Sequence, residues 1–223
     1  EIRAIIGPNG AGKSSMLNVI SGFYVPQEGE VWFKGYRRGP MRPYQVARLG
    51  IARTFQNIAL FDGMSVLDNI MTGRLTMMKS GLVAQALWWG SAEREEILHC
   101  ERVERIIDFL EIQNLRKTPV GRLPYGLKKR VELARALAAE PNLLLLDEPM
   151  AGMGREDVRM VADIIRDVAR TRAVLMVEHN LSVVADICDR VTVLQRGEIL
   201  ASGDYATVST DPRVRTAYMG TDA

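Results

Sequence analysis

Residues 7–14 read Gly-Pro-Asn-Gly-Ala-Gly-Lys-Ser, a G-x-x-x-x-G-K-S spacing. Glycines let successive backbone N–H groups turn inward, a lysine adds a point charge, and a serine hydroxyl suits a divalent cation. Such a stretch is built to cradle a polyphosphate. On this reading the loop at Asn9, Gly10, Ala11 and Gly12 surrounds phosphate oxygens, Lys13 reaches the terminal phosphates, Ser14 holds Mg2+ and Ser15 donates to the α-phosphate.

Other apolar runs end in residues able to do chemistry on that phosphate. Leu143–Leu146 runs into Asp147 and Glu148. Adjacent residues on a strand face opposite sides, so one carboxylate is expected to hold Mg2+ through water while the other faces the attacking water. Ala173–Val177 ends at Glu178-His179, at the end of a parallel strand where ligands of open α/β sheets gather. Ile51–Phe55 ends at Gln56, whose amide is a candidate metal ligand beside a phosphate site. The other histidine, His99, lies on a helical stretch and reads as structural.

The elements that must position these groups are legible in the periodicity. Ile2, Ala4, Ile5 and Ile6 form a buried strand before the loop, and Met16, Leu17, Val19 and Ile20 supply the apolar stripe of a helix after it. The helix N-terminus adds partial positive charge. Val31–Phe33 reads as a short strand with a turn at Lys34-Gly35, and Pro43–Leu49 as a short helix stopped by Gly50. From Ser65 the pattern turns helical. Ser65 and Asp68 cap residues 66–72, and Val103, Ile106, Ile107 and Leu110 repeat along a long helix from Ser91. The adjacent tryptophans in Leu82–Trp89 either pack beneath this helical region or present a patch to a membrane or partner.

Thr118–Gly126 reads as a loop with a helix following Gly126. Lys128, Lys129 and Arg130 then fall near that helix's positive end, where cations are disfavoured. They form either a solvated face or a site for an anion. A further helix (Val158, Val161, Ile165, Val168), a closing hairpin over Arg190–Ala201 and a mostly helical tail over Asp204–Met219 complete the chain.

The 223 residues carry a net charge of +2, too small a surplus for a nucleic-acid partner. Cys100 and Cys188 have no ligand or disulfide spacing. No apolar run approaches the roughly 20 residues that span a bilayer. The chain opens on Glu1, almost directly on the first strand, so upstream strands are expected to be missing.

Five separated features thus occur in order: Gly7–Ser14, Gln56, Leu123–Leu127, Leu143–Glu148 and His179. This order resembles an ABC-type nucleotide-binding domain, with Walker A, Q-loop, signature, Walker B and H-loop in their places. The finer match is similar to ATPase subunits of branched-chain or hydrophobic amino-acid importers, on Leu123–Gly126, Ala151–Met153 and Asp211–Gly220. A urea or amide importer of the same branch would look much alike. A soluble ABC ATPase without a transport role is the other class.

The resemblance implies an α/β P-loop fold with a mostly parallel sheet flanked by helices, a short antiparallel part and an inserted helical subdomain. Residues 1–64 and 138–223 would form the core, and 65–137 the subdomain. It implies ATP and Mg2+ as ligands, Ser14, Gln56 and Asp147 (through water) around the metal, Glu148 activating water, and His179 and Lys13 on the γ-phosphate. Gly126 would act in trans on a second ATPase subunit, identical or related. Transmembrane permease subunits, and indirectly a substrate-binding protein, would be the other partners, at the cytoplasmic face of the plasma membrane. The chain departs from the pattern at Pro124, Tyr125 and Gly154, and the family's adenine-stacking aromatic lies upstream of residue 1.

Overall fold

Ile2–Ile6 forms β1, with Ala4 fully buried and Ile2, Ile5 and Ile6 at most 3% exposed. A strand covered on both faces is nearly all apolar, and this one is. The computed structural model describes residues 1–78 and 91–219, so the Trp88-Trp89 expectation lies outside the described residues. After β1 come α1 (Lys13–Ile20), a hairpin of β2 (Val31–Phe33) and β3 (Tyr36–Arg38), α2 (Pro43–Arg48) and β4 (Ile51–Arg53). Then follow α3 (Val66–Thr72), α4 (Ser91–Phe109) and α5 (Tyr125–Ala138). The chain continues through β5 (Leu143–Asp147), α6 (Arg155–Ala169), β6 (Ala173–Val177), α7 (Leu181–Ile187), β7 (Arg190–Gln195), β8 (Glu198–Gly203), α8 (Tyr205–Thr210) and α9 (Pro212–Met219).

The main sheet has the order β4-β5-β6-β1-β7-β8, with all neighbours parallel except the closing β7–β8 pair. Asp147 lies in register with Val177, and Ile5 also pairs with Val177. The C-terminal ends of β1, β5 and β6 therefore fall side by side. That edge receives the phosphate loop, Asp147-Glu148 and Glu178-His179. Leu144, Leu145 and Leu146 have no exposure at all; burying each such side chain stabilises the fold by about 1.5–3 kcal/mol. Leu17 of α1 packs against Ile5, Leu145 and Val177 in one apolar cluster, fixing the helix behind the loop.

The chain divides into two compact units, Glu1–Gln56 with Asn142–Ala223, and Asn57–Pro141. The second unit is wider on both sides than 65–137, and its side chains show why. Arg135 donates to the Ala59 carbonyl, Asn69 donates to the carbonyls of Phe61 and Met64, and Arg74 donates to the Ala138 carbonyl while pairing with Glu140. In the same unit Ser65 caps α3, its hydroxyl accepting from the Asp68 N–H at 3.1 Å. Gly73 lets α3 end against α5: a Cβ there would sit 2.2 Å from the Arg135 carbonyl oxygen.

Two local expectations change. The helix expected after Gly126 begins at Tyr125, with Pro124 as its N-cap and Gly126 inside its first turn; Pro124 suits a helix start because it has no N–H to leave unpaired. Its two lysines also have carboxylate partners. Lys128 Nζ lies 3.4 Å from Asp62 Oδ1, and the buried Lys129 lies 3.5 Å from Glu132 Oε2, so the basic cluster is balanced locally rather than fully solvated. Among the described residues no helix is long and apolar enough to cross a membrane.

Candidate functional site

The phosphate loop follows β1 directly. Gly7 has φ +149° and packs so tightly on β7 that a Cβ would lie 2.1 Å from the Leu194 carbonyl oxygen, which excludes any other residue. Gly12, at φ +97°, is the N-cap of α1. Lys13 is 7% exposed and folds back, its Nζ donating to the carbonyls of Gly7 at 2.8 Å and Pro8 at 3.0 Å. Burial pulls its pKa down, opposed by the charges of Glu148 and Asp147. Asn9, Gly10, Ser14 and Ser15 are exposed, whereas the Ala11 methyl is buried in the core and its backbone N–H donates to the Pro8 carbonyl.

Asp147 and Glu148 part company, though not by strand alternation. The strand ends at Asp147, and Glu148 takes the left-handed conformation, with φ +49°. Asp147 turns inward, 5% exposed, and its Oδ2 accepts from Arg53 Nη2 at 2.8 Å. Arg53 is itself held by Asn18 Oδ1 at 2.7 Å and Ser21 Oγ at 3.1 Å, with its guanidinium 5.2 Å from the Phe55 ring centre.

Glu148 turns the other way and is held at both oxygens. Gln56 Nε2 donates to Oε2 at 2.9 Å, and His179 Nε2 lies 3.0 Å from Oε1. A non-glycine residue in the left-handed region costs on the order of 1–3 kcal/mol and persists where surroundings over-determine it, a pattern of functional sites. The structure thus brings Gln56, Glu148 and His179 into direct contact and places Asp147 on Arg53. Gly126 belongs to the second unit, half-buried in the first turn of α5.

A family model described as "ABC transporter" matches residues 1–151. The chain belongs to the ABC transporter family. A second model, "Branched-chain amino acid ATP-binding cassette transporter", matches residues 198–223. The cassette is 31% identical over 222 residues to the high-affinity branched-chain amino acid transport ATP-binding protein LivG of Escherichia coli (strain K12), covering 99% of this chain and 87% of that protein. It is 33% identical over 228 residues to the probable LivG of Methanocaldococcus jannaschii, again covering 99% and 87%. A crystal structure of the ADP conformation of an ATP-binding cassette of an ABC transporter superposes with TM-score 0.84 at 31% identity, covering 99% and 88% of the two chains. A nucleotide-free cassette gives 0.81 at 32% identity, covering 98% and 87%. As a cassette of this family the chain is an ATPase.

Two residues of the cassette's site escape a motif reading. Glu178 is 4% exposed; its Oε1 accepts from the Met150 N–H at 3.1 Å, and its Oε2 accepts from the N–H groups of His179 at 2.9 Å and Asn180 at 3.1 Å. It locks the start of α7 and with it the His179 backbone. Arg53 is the other. Each left one sequence signal, a charge in or directly after an apolar strand, which only a buried partner makes tolerable. His99 is structural, 8% exposed, its Nδ1 accepting from Arg74 Nε at 2.9 Å.

Proposed function

We propose that this cassette energises a membrane importer of branched-chain or other hydrophobic amino acids by hydrolysing ATP at the C-terminal edge of its sheet. The observation that carries the reading is Glu148, a carboxylate gripped at both oxygens by Gln56 and His179 beside a lysine-bearing phosphate loop. A base held this way is aimed before the substrate arrives.

In the reaction, water attacks the γ-phosphorus, its proton passes to the Glu148 carboxylate, and ADP departs. The transition state spreads charge over the phosphoryl oxygens, so positioning and electrostatics supply most of the rate. Lys13 leaves the Gly7 and Pro8 carbonyls for the β- and γ-phosphates, with loop N–H groups and the start of α1 adding positive potential. Ser15 takes the α-phosphate and His179 the γ-phosphate.

Mg2+ fits the donors present. The Ser14 hydroxyl, the Gln56 amide oxygen and the Asp147 carboxylate, the last through water, are hard oxygen ligands. Among the described residues no group of three His, Cys, Asp or Glu gathers as a metal cage, which suits an ion that keeps several waters and phosphate oxygens. When bound, the ion neutralises charge on the β- and γ-oxygens.

A second cassette, identical or related, completes each site in this reading, with Gly126 and the helix start at Tyr125 facing the γ-phosphate from across the dimer. The serine hydroxyl of a usual signature is replaced by Pro124-Tyr125, leaving backbone N–H groups to do that work. Exposure of Asn9, Gly10, Ser14 and Ser15 supports a shared site. Permease subunits, served by a substrate-binding protein, would hold the dimer at the cytoplasmic face of the membrane.

The test is Glu148→Gln in purified protein with Mg2+ and ATP. Binding is expected to survive, turnover to fall by about 100-fold or more, as for loss of a general base, and an ATP-bound dimer to accumulate. Turnover at the wild-type rate in this variant would sink the assignment. Uptake of leucine into proteoliposomes that carry the permease tests the cargo.

A further inference from the structure

The buried Glu178 carboxylate has two ends with partners on different loops. Oε2 accepts from the N–H groups of His179 at 2.9 Å and Asn180 at 3.1 Å, where the chain enters α7. Oε1 accepts from the Met150 N–H at 3.1 Å, on the turn that follows Glu148. That turn is closed on itself, the Ala151 N–H donating to the Glu148 carbonyl at 3.2 Å and the Met153 N–H to the Met150 carbonyl at 3.3 Å. One side chain therefore ties the backbone that carries Glu148 to the backbone that carries His179.

The partners dictate the residue type. All three are donors, so the group between them must accept at both oxygens, as a carboxylate does and an amide cannot. Starting α7 does not require the Met150 end. That helix has its own cap in Asn180, whose Oδ1 accepts from the N–H groups of Ser182 at 3.2 Å and Val183 at 3.3 Å. What the Met150 bond fixes is the spacing of the two loops. We propose that Glu178 is a positioning residue for hydrolysis: as a strut between these loops it sets the 3.0 Å contact of Glu148 Oε1 with His179 Nε2 and so aims Glu148 at water. A reacting group misplaced by about 1 Å can lose about 100-fold in rate. This role rests on the reading of Glu148 as the base, whereas the strut itself exists without nucleotide.

Glu178→Gln keeps the shape but turns an NH2 group toward one set of donors. In nucleotide-free protein, amide hydrogen exchange is expected to quicken about tenfold at Met150, or at His179 and Asn180; unchanged exchange at all three overturns the strut. With Mg2+ and ATP, kcat is expected to fall about tenfold with KM within about twofold of wild type, because the phosphate loop is untouched. An unchanged kcat overturns the positioning role. In a His179→Ala background the same substitution is expected to lower kcat by less than about twofold, since the contact it sets is gone; a fall of about tenfold in both backgrounds marks a general loss of structure and overturns the role. Glu178→Asp, a carboxylate one methylene shorter, is expected to lie between wild type and Glu178→Gln in kcat, and it carries the same measurements if the amide variant does not fold. A kcat below that of Glu178→Gln counts against the role. If Glu148→Gln turns over ATP like the wild type, the reading of the base falls and the positioning role with it, whereas wild-type kcat in Glu178→Gln alone overturns only the latter.

Discussion

His179 Nε2 lies 3.0 Å from Glu148 Oε1, although the two residues are separated by an entire helix and strand. Sheet register explains the meeting. β5 and β6 are neighbours with Asp147 opposite Val177, so the residues just past each strand emerge together. Glu148 then bends into the left-handed region and Glu178 secures the His179 backbone, which turns the two side chains toward each other.

His179→Ala removes one of the two grips on Glu148 and leaves Gln56 in place. The expected result is a kcat lowered about 100-fold, comparable to loss of one aimed transition-state donor, with KM changed by less than about threefold. Steady-state ATP hydrolysis measures both.

Arg53 and Asp147 form an ion pair with both side chains 8% exposed. Breaking such a pair leaves a buried charge uncompensated, so Arg53→Ala is expected to cost about 3–5 kcal/mol of stability. Urea denaturation at neutral pH checks this through the midpoint at unchanged slope. A midpoint equal to wild type would show that the pair does not hold this part of the sheet.

The second unit should weaken in mild acid. Burial lowers the His99 pKa below its ordinary value, the Arg74 charge lowers it further, and Glu95 and Glu140 oppose the shift. Because the unfolded chain takes up the proton at a higher pH than the folded one, stability is complete above about pH 6.5 and falls as the pH drops toward the folded value. His99→Gln removes the titration. The thermal midpoint of the wild type is expected to fall more between pH 7.5 and 5.5 than that of the variant, measured by circular dichroism.

Local chemistry carries far in this chain. The Gly7–Ser14 spacing, the apolar runs of β1, β5 and β6, the Ser65 cap and the stripe of α6 each specify their element from neighbouring residues alone, because hydrogen-bond geometry and side-chain periodicity are short-range. The start of α5 departs from its local reading for the same reason. A glycine reads as a stop, yet Pro124 supplied a helix start two residues earlier.

Neighbouring residues sufficed for the set of elements and for the polar groups at their ends. The neighbours came from the fold as a whole: Arg53 with Asp147 across 94 residues and Gln56 with Glu148 across 92. The strand order β4-β5-β6-β1-β7-β8 creates those meetings. Strand order follows from the burial of both sheet faces at once, a condition on the whole chain that no local window contains.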